Sequence, residues 1–115
     1  MKYQWNIFWA ELNPAEGSEQ AGRSPVLVVS EEVVNQSLPI VCIVPFTTYR
    51  LGRVIYPTEV LLQQADTQLA FPSVAMAHQL RTISKLRLKE NAGGIQSEDI
   101  RGAIKNAMRI FLDLA

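Results

Sequence analysis

The sequence predicts an α+β fold, a small and strongly bent sheet or barrel closed by one C-terminal helix. Three observations lead there. Two short runs, "PVLVVS" at 25–30 and "PIVCIVPF" at 39–46, are almost wholly apolar and proline-bounded, the pattern of strands buried on both faces. An aromatic, β-favouring segment, "WNIFWAEL" at 5–12, precedes them and stops at Asn13-Pro14, a turn signal. After the "AGG" break at 92–94, the hydrophobic period becomes helical.

Taken in order, residues 5–12 form the first strand, and a polar loop with two glycines leads into the second at 25–30. The "EEVVNQSL" segment reads as a turn of helix or an irregular crossing to the third strand at 39–46. "RVIYPTEVLL" at 53–62 alternates less cleanly, and Pro57 points to a bulge or an edge position. "PSVAMAHQL" at 72–80 supplies another strand, for five or six in all. In the final helix Ser97 is the N-cap, and Glu98 and Asp99 suit its positive end. Ile100, Ala103, Ile104, Ala107, Met108, Phe111 and Leu114 recur at helical spacing.

The 115 residues, 48% of them hydrophobic, fit one domain spanning 1–115, with no repeat or linker. The apolar runs fall well short of the roughly 18 residues that cross a bilayer, and the N-terminus lacks a basic segment ahead of a hydrophobic one. A soluble, cytoplasmic protein is expected. Cys42 stands alone, which excludes an intrachain disulfide, and its place within "IVCIV" suggests a buried small hydrophobe. Eleven basic and eleven acidic residues cancel, which removes overall positive charge as an argument for nucleic-acid binding. Even so, "RTISKLRLK" carries Arg81, Lys85, Arg87 and Lys89 without an acid: a local patch for phosphates, or a solvated face.

One histidine, one cysteine and only two acids between Val33 and Lys89 leave too few ligands for a metal site. Neither "GxxxxGK" nor "GxGxxG" occurs, which argues against a nucleotide-driven enzyme, and no "GxSxG" turn presents a serine. What is left is chemistry that needs only donors and cations, with no cofactor. Cleavage of RNA by its own 2′-hydroxyl fits, because the substrate brings the nucleophile.

The motifs "IFWAELNP", "GSEQAGRSPVLVVS", "VPFTT" and "HQLRTISKLRL", followed by the helix after "AGGI", run almost end to end. In that order the chain resembles the MazF/PemK (Kid) family of toxin endoribonucleases from toxin–antitoxin modules. The resemblance implies an antiparallel SH3-like or CcdB-like β-barrel and a homodimer. It implies metal-independent cleavage of single-stranded RNA that leaves a 2′,3′-cyclic phosphate and a 5′-hydroxyl. A cognate, MazE-like antitoxin is implied too, its C-terminal segment lying across the RNA groove.

The family pattern presents an arginine directly before the proline of the second strand. Here Ser24 holds that place and Arg23 precedes it. Either the loop lets Arg23 reach the scissile phosphate, or the cut is slow or absent. Thr47 of "VPFTT" matches the family's catalytic threonine, with Thr48 its weaker neighbour. His78, the sole histidine, occupies the place of an acid proposed as a base in Kid-like members, and an imidazole can take a proton near neutral pH. Gln79, Arg81 and Thr82 match a "Q-x-R-T" signature, in which Arg81 braces the loop or meets RNA. Ser18, Glu19 and Gln20 lie in the first loop, where hydrogen bonds to unpaired bases can set sequence preference, and Ser73 is placed in the same groove. The alternatives are a toxin-fold module that holds an antitoxin or nucleic acid without cutting, for which Ser24 is the best support, and a CcdB-like gyrase poison. Poisons of that kind end in a Trp-containing tail, whereas this chain ends "RIFLDLA".

Overall fold

The computed structural model describes residues 1–115. Seven strands and three helices follow as β1 (Asn6–Glu11), β2 (Arg23–Val28), α1 (Glu32–Ser37), β3 (Ile40–Thr48), β4 (Glu59–Leu62), α2 (Gln64–Thr67), β5 (Ser73–Met76), β6 (Arg81–Ser84), β7 (Leu88–Gly94) and α3 (Glu98–Leu112). Short 3-10 turns at Ala77–Gln79 and Lys85–Arg87 flank β6. The sheet is antiparallel throughout, in the order β4-β5-β3-β2-β1-β7, with β6 also on β3.

Both faces of the sheet are covered, as the continuous apolar runs require. Ile7, Leu27, Val44 and Phe46 point to one core with Leu62, Ala75, Ile95 and Ile104, the last from α3. Phe8, Val26, Val28, Val41 and Ile43 point to the other, with Ala10, Leu12 and Ile83. Neighbours along each strand thus serve opposite cores, the period-2 consequence of the pleat.

The nine residues of β3 form the spine of the sheet. Along one edge its first half pairs with β6 and its last three residues with β5; along the other, Ile43–Pro45 pair with Val28–Val26 of β2. Beyond that point β2 and β3 part. Pro25 and Pro45 lack N–H groups, so neither can donate to a continued ladder.

The structure corrects several expected elements. Of 53–62 only Glu59–Leu62 is strand. Ahead of it the Tyr56 N–H and the Arg53 guanidinium both donate to the Glu59 carboxylate, which folds 53–58 back on itself. The strand expected over 72–80 stops at Met76 and becomes a 3-10 turn. Two strands, β6 and β7, lie where the sequence shows mainly charge. Helix α3 begins as expected, with the Ser97 hydroxyl accepting from the Ile100 N–H, but it ends before Leu114 at Asp113, whose φ is +55°. Ile104 and Ala107 are its buried residues; Ala103 and Phe111 are exposed. Cys42 is half-buried rather than buried, because it borders a shallow cleft between α1 and β3, and that partial burial pushes its thiol pKa up. No helix is long and apolar enough to cross a membrane.

Candidate RNA-binding cleft

Where β2 and β3 part, a cleft of about 290 Å³ opens. Arg23, Ser24 and Pro25 border it from β2, Phe46 and Thr48 from β3, and Ser73 from β5. Trp9, Gln20 and the Leu69–Phe71 segment complete the wall. Arg23 is the one charged residue of the lining. Phe71 is 64% exposed beside it, an aromatic surface open to solvent.

The register sorts the candidate residues by face. In β2, Arg23 shares the face of Pro25 and Leu27, and Ser24 that of Val26 and Val28. In β3, Thr48 shares the face of Phe46 and Val44, whereas Thr47 shares that of Pro45 and Ile43. The Val26↔Pro45 register, carried two and then three residues further, sets Ser24 level with Thr47 and Arg23 level with Thr48. Arg23, Thr48 and Ser73, which pairs with Thr48, therefore come together in the cleft. Thr47 does not line it.

Ser24, only 5% exposed, borders the cleft from the other face of the sheet, and its hydroxyl accepts from the Gln20 amide. The Gln20 N–H donates to the Gln79 side chain, whose amide nitrogen donates to the Ser18 carbonyl at 2.8 Å. Glu19 turns inward on the loop, its carboxylate accepting from the Glu16 N–H. Arg81 donates to the Leu12 carbonyl and Arg87 to the carbonyls of Glu11 and Asn13. Lys85 lies over the Tyr3 ring, and Lys89 donates to the Leu86 carbonyl. Two arginines of the basic segment thus donate to backbone carbonyls at 11–13, where β1 runs into the first loop. His78 lies elsewhere: its Nδ1 is 3.1 Å from the Thr58 hydroxyl. It sits near Glu59, whose carboxyl is held below the ordinary range by hydrogen bonds from Arg53, against a burial that pushes it up.

Sequence reasoning passed over Leu69 and Ala70, and over Trp9 and Phe71, because an aromatic residue in a strand or loop reads first as core. Exposure, the property that marks Phe71, is not written in residue type. No three His, Cys, Asp or Glu side chains gather anywhere in the molecule.

A bent antiparallel sheet packed against a C-terminal helix, with a cleft between two strands bordered by one arginine, hydroxyls and aromatics, defines a small α+β protein with a polar surface cleft. The chain belongs to the family of PemK-like, MazF-like toxins of type II toxin–antitoxin systems, whose model matches residues 3–112. It is 32% identical over 114 residues to an endoribonuclease MazF of Staphylococcus saprophyticus, an alignment covering 99% of this chain and 93% of that protein. Among solved structures, the toxin MazF-mt6 of Mycobacterium tuberculosis superposes with a TM-score of 0.76 at 28% identity, covering 96% of this chain and 98% of that one. MazF from Deinococcus radiodurans gives 0.80 at 25% identity, covering 97% and 96%. A mycobacterial endoribonuclease, solved in complex with its cognate antitoxin, shares the fold with a TM-score of 0.80 at 23% identity, over 100% of this chain and 98% of that one.

Proposed function

We propose that this chain is a toxin endoribonuclease that cuts single-stranded RNA without a metal, and that the RNA backbone crosses the opening between β2 and β3. The single observation that carries this reading is that Arg23, the one cation of the cleft lining, borders the same opening as Ser24, Thr48 and Ser73. The substrate's 2′-oxygen attacks the adjacent phosphorus, the P–O5′ bond breaks, and a 2′,3′-cyclic phosphate and a 5′-hydroxyl result. Arg23 stabilises the charge that builds on the phosphoryl oxygens. Thr48 and, once its hydroxyl leaves the Phe71 carbonyl, Ser73 donate to the phosphate from one face, while Thr47, level with Ser24 at the other face of the opening, orients the 2′-hydroxyl. The cleft lining holds no carboxyl, imidazole or thiol, so the 2′ proton leaves to water and the 5′-oxygen regains one from water. Trp9 and Phe71 offer stacking surfaces for unpaired bases, and Gln20 hydrogen-bonds to them. His78 stays outside this chemistry, on Thr58. Family membership extends the proposal to a cytoplasmic homodimer, and to an antitoxin whose C-terminal segment covers the cleft.

One observation favours a second reading, a module that binds without cutting: the place directly before Pro25 is filled by buried, hydrogen-bonded Ser24 rather than by an arginine. Purified protein free of antitoxin, mixed with single-stranded RNA in excess EDTA, separates the two. Fragments with cyclic phosphate ends support the endoribonuclease; RNA left intact by protein that binds it supports the module. Arg23→Ala is expected to slow cutting about a hundredfold, on the scale of a lost oxyanion donor. Unchanged cutting would remove Arg23 from the mechanism.

A further inference from the structure

The cation of the cleft is not free. Arg23 forms an ion pair with Glu90 of β7, and its guanidinium lies over the Trp9 ring, 5.4 Å from the centroid. Sheet order gives this contact a direction. β2 lies between β3 on one side and β1 on the other, with β7 beyond β1. Trp9 is on β1, directly across from Pro25, and Phe8 and Ala10 face Asn91 and Leu88 of β7. To meet Glu90, the Arg23 side chain therefore reaches across β1, a span of about two strand spacings or 10 Å. That reach leads away from β3 and β5, where Thr48 and Ser73 stand.

We propose that Glu90 is an anionic latch: it docks Arg23 over Trp9, and an incoming RNA phosphate must take the guanidinium from it. The inference rests on the cleft being the RNA site. Arg23 and Glu90 are 51% and 61% exposed, so water screens the pair and a phosphate can displace the carboxylate at small cost. In the docked station the guanidinium lies over the indole, which itself borders the cleft. Glu90 is thus a positioning residue that acts through Arg23, and it makes engagement conditional on a competing anion.

The test uses binding of a fluorescein-labelled single-stranded RNA of randomised sequence, 2′-O-methylated throughout so that it cannot be cut. Dissociation constants are read by anisotropy at low and high salt for the wild-type chain, Glu90→Gln, Arg23→Ala and the double variant. Glu90→Gln is expected to bind about two- to fivefold more tightly at low salt, the gain of freeing one exposed pair, and to lose that gain at high salt. In the Arg23→Ala background the same substitution should have no more than a marginal effect, which separates the latch from a general loss of negative charge. Equal or weaker binding by Glu90→Gln, or the same gain with and without Arg23, overturns the latch. If Arg23→Ala binds as the wild type does, the cleft itself is not the RNA site, and both proposals fall. Weaker binding by Arg23→Ala beside an unchanged Glu90→Gln overturns the latch alone.

Discussion

Glu32, in the first turn of α1, is the carboxylate on which the N-terminal segment hangs, and Glu32→Gln tests how much that anchor contributes. Its two oxygens accept the backbone N–H of Tyr3 and, at 2.8 Å, that of Gln4, together with the side-chain amides of Asn35 and Gln36. Burial alone would push its pKa up; the bonds from Gln4, Gln36, Tyr3 and Asn35 outweigh burial together and bring it from 4.5 to about 2. At about 1.4 kcal/mol per pH unit that difference is worth about 3 kcal/mol. Because Glu32 is partly open to water, about 1–2 kcal/mol is the share to expect in solution. The pKa is lower in the folded chain, so the contribution is complete above the unfolded value near 4.5 and is lost as pH falls toward about 2. Urea unfolding followed by circular dichroism should show Glu32→Gln less stable by about 1–2 kcal/mol near neutral pH, with the two curves converging below about pH 3. Stability curves for wild type and Glu32→Gln that stay parallel down to that pH would refute the assignment.

Glu59→Gln leaves the Arg53 guanidinium without its charged partner over a buried position, and should cost about 3 kcal/mol in the same unfolding assay. Gly93 has a φ of +153°, and a Cβ there would run into the Thr67 carbonyl oxygen, so Gly93→Ala should lower stability by about 2 kcal/mol and loosen α2 from β7; an unchanged thermal midpoint would contradict that contact. At the opening between β2 and β3, Thr47→Ala is expected to slow RNA cutting at least tenfold, whereas Thr48→Ala should mainly weaken binding; single-turnover rates against RNA concentration separate the two. His78→Gln should change cutting far less than Arg23→Ala, and the reverse ranking would move the chemistry to the Thr58–His78 pair.

The local signals in this sequence are strong where one residue determines its own surroundings. Ser97 caps α3 because its hydroxyl needs only the N–H three residues on. The apolar runs at 25–30 and 39–46 become β2 and β3 because they must bury both faces, whatever their neighbours are. The motif order was enough to indicate the family, later shown by the match over residues 3–112. Strand β7, "LKENAGG", carries no such signal: it is a largely polar edge, made a strand only by its pairing with β1. Likewise Arg23 and Thr47 look like partners in a linear motif, yet the pleat points them to opposite faces, and Thr48 is the threonine that shares the cleft with Arg23. Composition and period therefore determine which segments bury and in which element. Which polar side chains meet depends on strand order and register, and those are settled by pairings between residues far apart in the chain.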